Sequence, residues 1–203
     1  TSAYMSFASA VALDARRLAL LFGAFFALGV LAAMLSTSDP DWWRDNLSAL
    51  GVTTNASARA FNLTLIVSGF LVAALARSAT TRRTGAPGLR SVRVCLIALG
   101  VCLALVGAFP VNEFLIVHVS VSIGLAVAFG VLVIRLPGWV PGLARAFIVL
   151  GWLFLALMVL LGVFYAVGYY TLTAVELVGG ALVFAWVILF IRSTAALEQD
   201  ERA

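Results

Sequence analysis

In 203 residues the chain carries 64% apolar and only 11% charged side chains, with a mean hydropathy of +1.12, where a soluble domain runs at about 45–50% and 25%. A soluble fold of this make-up would show water more apolar surface than it tolerates, and the length fits one membrane-embedded bundle. The net charge of +4 rests on thirteen basic residues, all arginine, in short segments between apolar runs; no basic stripe exists to track a nucleic acid, and none is expected as a partner.

Six apolar runs reach or approach the ~20 residues a bilayer crossing needs: 18–36, 60–76, 94–109, 114–134, 146–167 and 173–191. Exposed backbone groups are costly in hydrocarbon and no barrel-type alternation is present, so each run is expected to be a helix of one all-α domain over 1–203. The first run lacks a small-residue cleavage pattern and is expected to be retained; residues before Met5 look like a cloning remnant. Within the third run, Cys95 and Cys102 are seven positions apart, about 10 Å of helical rise. That is beyond disulfide reach, so both read as small core residues.

Arginine placement gives the expected orientation. With the N-terminus inside, the inner segments hold eleven arginines and four acids, and the outer segments hold Arg44 and Arg59 against five acids. The positive-inside rule then places both termini in the cytoplasm of a multi-pass cell-membrane protein. Between runs one and two, Ser38–Ala58 is the longest outer connector, and long connectors in compact bundles are usually functional. Asp39 can cap a helix there, Pro40 suits its first position, Asp41 its first turn, and Gly51 its end. Trp43, Leu47 and Leu50 would share one face, which predicts a short interfacial helix over Asp39–Gly51 with Trp42 and Trp43 at headgroup depth. Asn55 or Ser57 is expected to cap the second long helix.

Pro110–Glu113 and Gly168–Leu172 read as tight outer turns, and Leu136–Gly142 (L-P-G-W-V-P-G) as a turn-rich inner connector. The inner segment Arg77–Arg93 is rich in Arg, Thr, Gly and Pro, and topology alone explains it. Gly23, Gly29, Gly100, Gly107, Gly179 and Gly180 are expected at close helix contacts. No internal repeat supports a repeat-built transporter.

Polar groups at membrane depth are costly and usually face a cavity or a partner. Here they cluster toward one side. His118, the only histidine, lies about five residues into the fourth run, roughly 7 Å deep at 1.5 Å per residue. Ser122 is one turn deeper on the same face, Glu113 opens that helix, Glu176 lies just inside the sixth, and Arg59 and Asn62 share a face of the second. The plain readings are an interfacial anchor for Glu113, neutralisation of Arg59 by Glu176, a hydrogen-bonded core histidine, and interhelical bonds from Asn62 and Ser122. Against them stands one shared outward-facing pocket lined by Asp45, Asn46, Arg59, Asn62, Glu113, Ser122, Glu176, Trp42 and Trp43. In that pocket His118 is the candidate base and Ser48 the candidate nucleophile. One histidine among scattered carboxylates lacks a ligand spacing, so neither a metal nor a cofactor is expected.

The run D-N-L-S-A-L-G (Asp45–Gly51), the Phe61-Asn62 pair, V-G-A-F-P (Val106–Pro110) and His118 after it resemble a prokaryotic family of six-helix membrane proteins catalogued as domain of unknown function nine-nine-eight. The pattern is similar to the wider Frag/DRAM/Sfk group. The resemblance spans nearly the whole chain and implies recurrent polar positions at Asn46, Ser48, Asn62 and His118, with Gly51 and Pro110 structural. It also implies membrane lipids as partners and a lipid or lipid-like ligand, bound or processed. A small-molecule transporter or exporter, and a structural or partner-binding subunit, stay open as alternatives, as does an oligomer.

Overall fold

A computed structural model describes residues 2–52, 55–81 and 88–200, and within them the side chains of 17, 19–52, 55–77, 80 and 88–194. The described residues form helices and turns only: α1 (Ser2–Ser36), α2 (Trp42–Asp45), a 3-10 turn (Leu47–Gly51), α3 (Ala56–Thr81), α4 (Leu89–Ala108), α5 (Leu115–Trp139), α6 (Arg145–Ala166) and α7 (Leu172–Asp200). Six of these are long and apolar enough to cross a membrane. The protein is an all-α, multi-pass membrane bundle. α1, α3 and α7 outrun their apolar windows, because extending a helix adds one bond per residue once a first turn exists.

Each long helix packs on its neighbours in the chain, and α1 meets α7, so the six close into a ring. The tightest seam joins α3 to α4. A Cβ on Gly100 would stand 2.5 Å from the carbonyl oxygen of Gly69, and one on Gly107 2.6 Å from that of Asn62. Backbone therefore lies against backbone, as small residues permit in membranes. Gly29 similarly takes Thr64 of α3 against α1. On the arginine-rich side the core is aromatic: Trp186 stacks on Phe190 with ring centroids 5.5 Å apart and meets Phe129 edge-on. There Arg93 Nε donates to Thr80 Oγ1 at 2.7 Å and tethers α4 to α3.

Three expectations change. The outer segment is not one helix over Asp39–Gly51. Asn46 adopts an extended backbone (φ −154°, ψ 156°) that separates α2 from the 3-10 turn. Trp42, not Trp43, then packs on the core beside Leu47 and Leu50, while Trp43 stays half exposed under the Arg44 guanidinium. Asp39 uses its side chain locally, accepting from Asp41 N–H at 2.9 Å, rather than capping a long helix. Second, α5 runs through Pro137 to Trp139, because a proline in the last turn forfeits only the bond to Val133. Third, Gly179 and Gly180 are not at close helix contacts, since Cβ atoms there would meet only Met158 Cε at 3.9 Å and nothing within 4 Å, respectively.

The two short outer turns form where expected. Phe114 N–H donates to Pro110 O at 3.0 Å, and Gly168 turns the chain at φ +77°. Asn55 Oδ1 caps α3 by accepting from Ala58 N–H at 3.3 Å. Ser57 instead ties three segments, its hydroxyl lying 2.9 Å from Ala33 O and 3.2 Å from Leu50 O. Residues 53–54 and most of the inner connector, with the arginines at 82 and 83, lie outside the described residues, as do 201–203 with the arginine at 202.

Candidate functional site

The ring surrounds a half-open cavity of about 240 Å³, room for many atoms rather than a single water. Every long helix lines it, including Phe22 and Phe26 from α1, Phe61 and Leu65 from α3, Leu103 from α4, Leu125 from α5, Met158 from α6 and Phe184 from α7. Its polar lining side chains are Ser48, Ser122 and Glu176. All three lie at the end capped by α2 and the 3-10 turn. Toward the other end the lining is Val72, Leu99 and Val187. From Glu176 to Val187 is eleven residues of α7, so the slot follows the helix for roughly 16 Å.

The capped end is built around three side chains from distant parts of the chain. Buried His118, in the first turn of α5, places Nδ1 2.8 Å from the carbonyl oxygen of Phe109 and Nε2 3.0 Å from Ser48 Oγ. A carbonyl only accepts, so Nδ1 carries the hydrogen and Nε2 of the neutral ring is an acceptor. Ser48 then donates to Nε2. The backbone of the α4–α5 turn thus selects the tautomer that leaves Nε2 facing a hydroxyl.

Glu176 approaches Ser48 from α7. Its Oε2 accepts from Leu47 N–H at 2.6 Å, and its Oε1 lies 3.4 Å from Ser48 Oγ. Ser48 has one hydrogen and two acceptors, and in the neutral ring the shorter contact to His118 takes it. The Leu47 bond has a separate effect: it locks the 3-10 turn onto α7, with Leu47 and Leu50 buried beneath it. Thr173, three residues earlier, reaches the carbonyl of Trp42 at 3.5 Å.

The other expected site residues divide. Ser122 lines the cavity but spends its hydroxyl on His118 O at 2.8 Å, one turn back. Asn62 donates from Nδ2 to Gly51 O at 3.0 Å and straps the 3-10 turn to α3. Asn46, at the break, has a buried Oδ1 with no donor. Asp45, Arg59 and Glu113 are exposed and do not line the cavity, and no ion pair joins Arg59 to Glu176 among the described residues. Trp42 is half-buried over the bundle and Trp43 sits outside it. The described residues contain no cluster of metal-ligating side chains. Sequence reasoning missed the Phe109 carbonyl, the Leu47 N–H and the open flank at Gly179 and Gly180. The first two are backbone groups that every residue carries; the glycine pair was the one readable signal, and its spacing fits packing equally well.

No curated protein and no solved structure matches the chain. A family model described as "Protein of unknown function (DUF998)" matches residues 20–193, and the chain belongs to that family.

Proposed function

We propose that the protein holds a single-chain, lipid-like amphiphile, its hydrocarbon in the central cavity and its polar group at Ser48 and Glu176, with His118 behind Ser48. The observation that carries this reading is the shape of the polarity. One apolar slot, lined by all six long helices, has its polar lining side chains, Ser48, Ser122 and Glu176, at one end, where buried His118 stands behind Ser48. Ligand sites combine apolar walls with a few placed polar groups in this way. Entry from the bilayer has a candidate seam. α6 buries only Phe147 and Gly151, both in its first two turns, so its flank beside the polar end is loosely packed. Arginine bias directs the capped end outward and both termini to the cytoplasm.

A transporter needs polar groups or water along the whole path. Here the lining beyond the capped end is apolar, which favours holding or processing over conduction. A purely structural subunit needs no cavity at all. Native mass spectrometry of the detergent-solubilised full chain tests the reading: a lipid-like adduct at one per chain is expected. Protein stripped of adducts that also fails to take up added fatty acid or single-chain lipid would refute it.

A further inference from the structure

Resting on that reading, we infer that Ser48 is a nucleophile and His118 its general base, and that the bound amphiphile is a fatty acyl ester whose acyl chain fills the cavity. Three placements carry this. Ser48 Oγ is 3.0 Å from His118 Nε2, within reach for proton transfer. The base is itself oriented, by the 2.8 Å contact of Nδ1 with Phe109 O, which is the arrangement an activated nucleophile needs. And Ser48 lines the polar end of the apolar slot, so a chain seated there presents its first polar carbon, the carbonyl, to Oγ.

A site meant only to hold an amphiphile has no need of this geometry. His118 and Ser48 are both buried, 4% and 6% exposed, and come from segments seventy residues apart. A histidine serving only as interhelical glue could turn either nitrogen to either partner. Here the backbone carbonyl takes Nδ1 and commits the basic nitrogen to the hydroxyl that faces the cavity.

The chemistry balances without a cofactor. Ser48 Oγ bonds to the ester carbonyl carbon as its proton moves to Nε2. The bond from that carbon to the alcohol oxygen breaks, and the departing alkoxide takes the proton from Nε2. The acyl group is left esterified to Oγ. Water then gives a proton to Nε2 and attacks the acyl carbon, releasing a carboxylic acid and returning the proton to Oγ.

The test uses purified full-length protein in micelles and a long-chain alkyl fluorophosphonate. Attack by Oγ forms an O–P bond and expels fluoride, and peptide mass spectrometry locates the label. We expect labelling at Ser48, none there in Ser48→Ala, and labelling about a hundredfold slower or more in His118→Ala. Ser36→Ala, which alters an exposed hydroxyl outside the site, should label like the parent. Label on Ser48 of the parent protein decides the matter even where a variant fails to fold. An unlabelled Ser48 in protein that binds amphiphile one to one by native mass spectrometry would overturn the catalytic assignment and leave the binding reading standing. An unlabelled Ser48 in protein that also takes up no amphiphile would overturn both.

Discussion

Substituting Gly180 with leucine separates occupancy of the cavity from integrity of the fold. Gly180 lies one turn beyond Glu176 on the same face of α7, lines the cavity, and would carry a Cβ into space free of atoms to 4 Å. Leucine there has two opposite effects. The helix gains about 0.8–1 kcal/mol from replacing glycine, so the thermal midpoint should hold or rise. The slot loses the room of four carbon atoms directly below the polar end, and an amphiphile forced in beside them meets an overpacking cost of about 1–3 kcal/mol. That corresponds to a roughly 5- to 150-fold loss of occupancy. Adducts counted by native mass spectrometry, with melting followed in the same detergent, read both effects. Gly179→Leu, where only Met158 Cε lies near at 3.9 Å, serves as a second probe of the same space. Full amphiphile occupancy in both variants would show that the ligand sits elsewhere, and a falling midpoint would show that the space is not open.

Other outcomes follow from single contacts. Glu176→Ala strands the Leu47 N–H bonded at 2.6 Å and should destabilise the protein by about 1–3 kcal/mol; Glu176→Gln keeps an acceptor there and should recover most of that in a detergent melt. Gly100→Val drives a side chain into the Gly69 backbone, whose oxygen would stand 2.5 Å from the new Cβ. It should cost about 1–3 kcal/mol or more and lower the monodisperse yield on size exclusion. Gly162→Ala, with no atom within 4 Å of the new Cβ, should be neutral or gain up to about 1 kcal/mol in the same melt. Ser57→Ala removes the hydroxyl shared by Ala33 O and Leu50 O and should lower stability by about 1 kcal/mol, loosening the 3-10 turn to proteolysis.

The spans were readable because hydrocarbon leaves the backbone no option but the helix, so composition alone locates them. Their ends were less so. Pro137 signals a break, yet a helix whose last turn contains it loses a single bond. The outer segment misled through periodicity: Trp43, Leu47 and Leu50 fit one helical face, but tertiary contacts decided otherwise. Glu176 on α7 takes the N–H of Leu47, and Asn62 on α3 takes the carbonyl of Gly51. Those bonds need the chain extended at Asn46. Ser48, His118 and Glu176 stood out by residue type and depth, whereas their meeting depended on ring closure between α1 and α7, which no local pattern encodes. Arg59 shows the reverse error. It shares a depth with Glu176 in sequence but points out of the bundle.

A membrane site faces a competitor that a soluble pocket does not, because the bilayer is as apolar as any cavity and hydrocarbon gains nothing by leaving it. Retention in this slot must therefore come from two other sources. One is fit, since close-packed walls reward a chain that fills them and exclude one that does not. The other is the polar end. A hydroxyl or carboxyl group drawn from the headgroup region must recover its hydrogen bonds at the Ser48 hydroxyl and the Glu176 carboxylate that line that end, or the transfer is unfavourable by several kcal/mol. Selectivity should accordingly follow the polar group more steeply than the chain. Among ligands of equal length, alkanes should not compete, while acids, alcohols and esters should. An alkane that displaced bound amphiphile as well as its matching alcohol would mean that the polar end takes no part in binding.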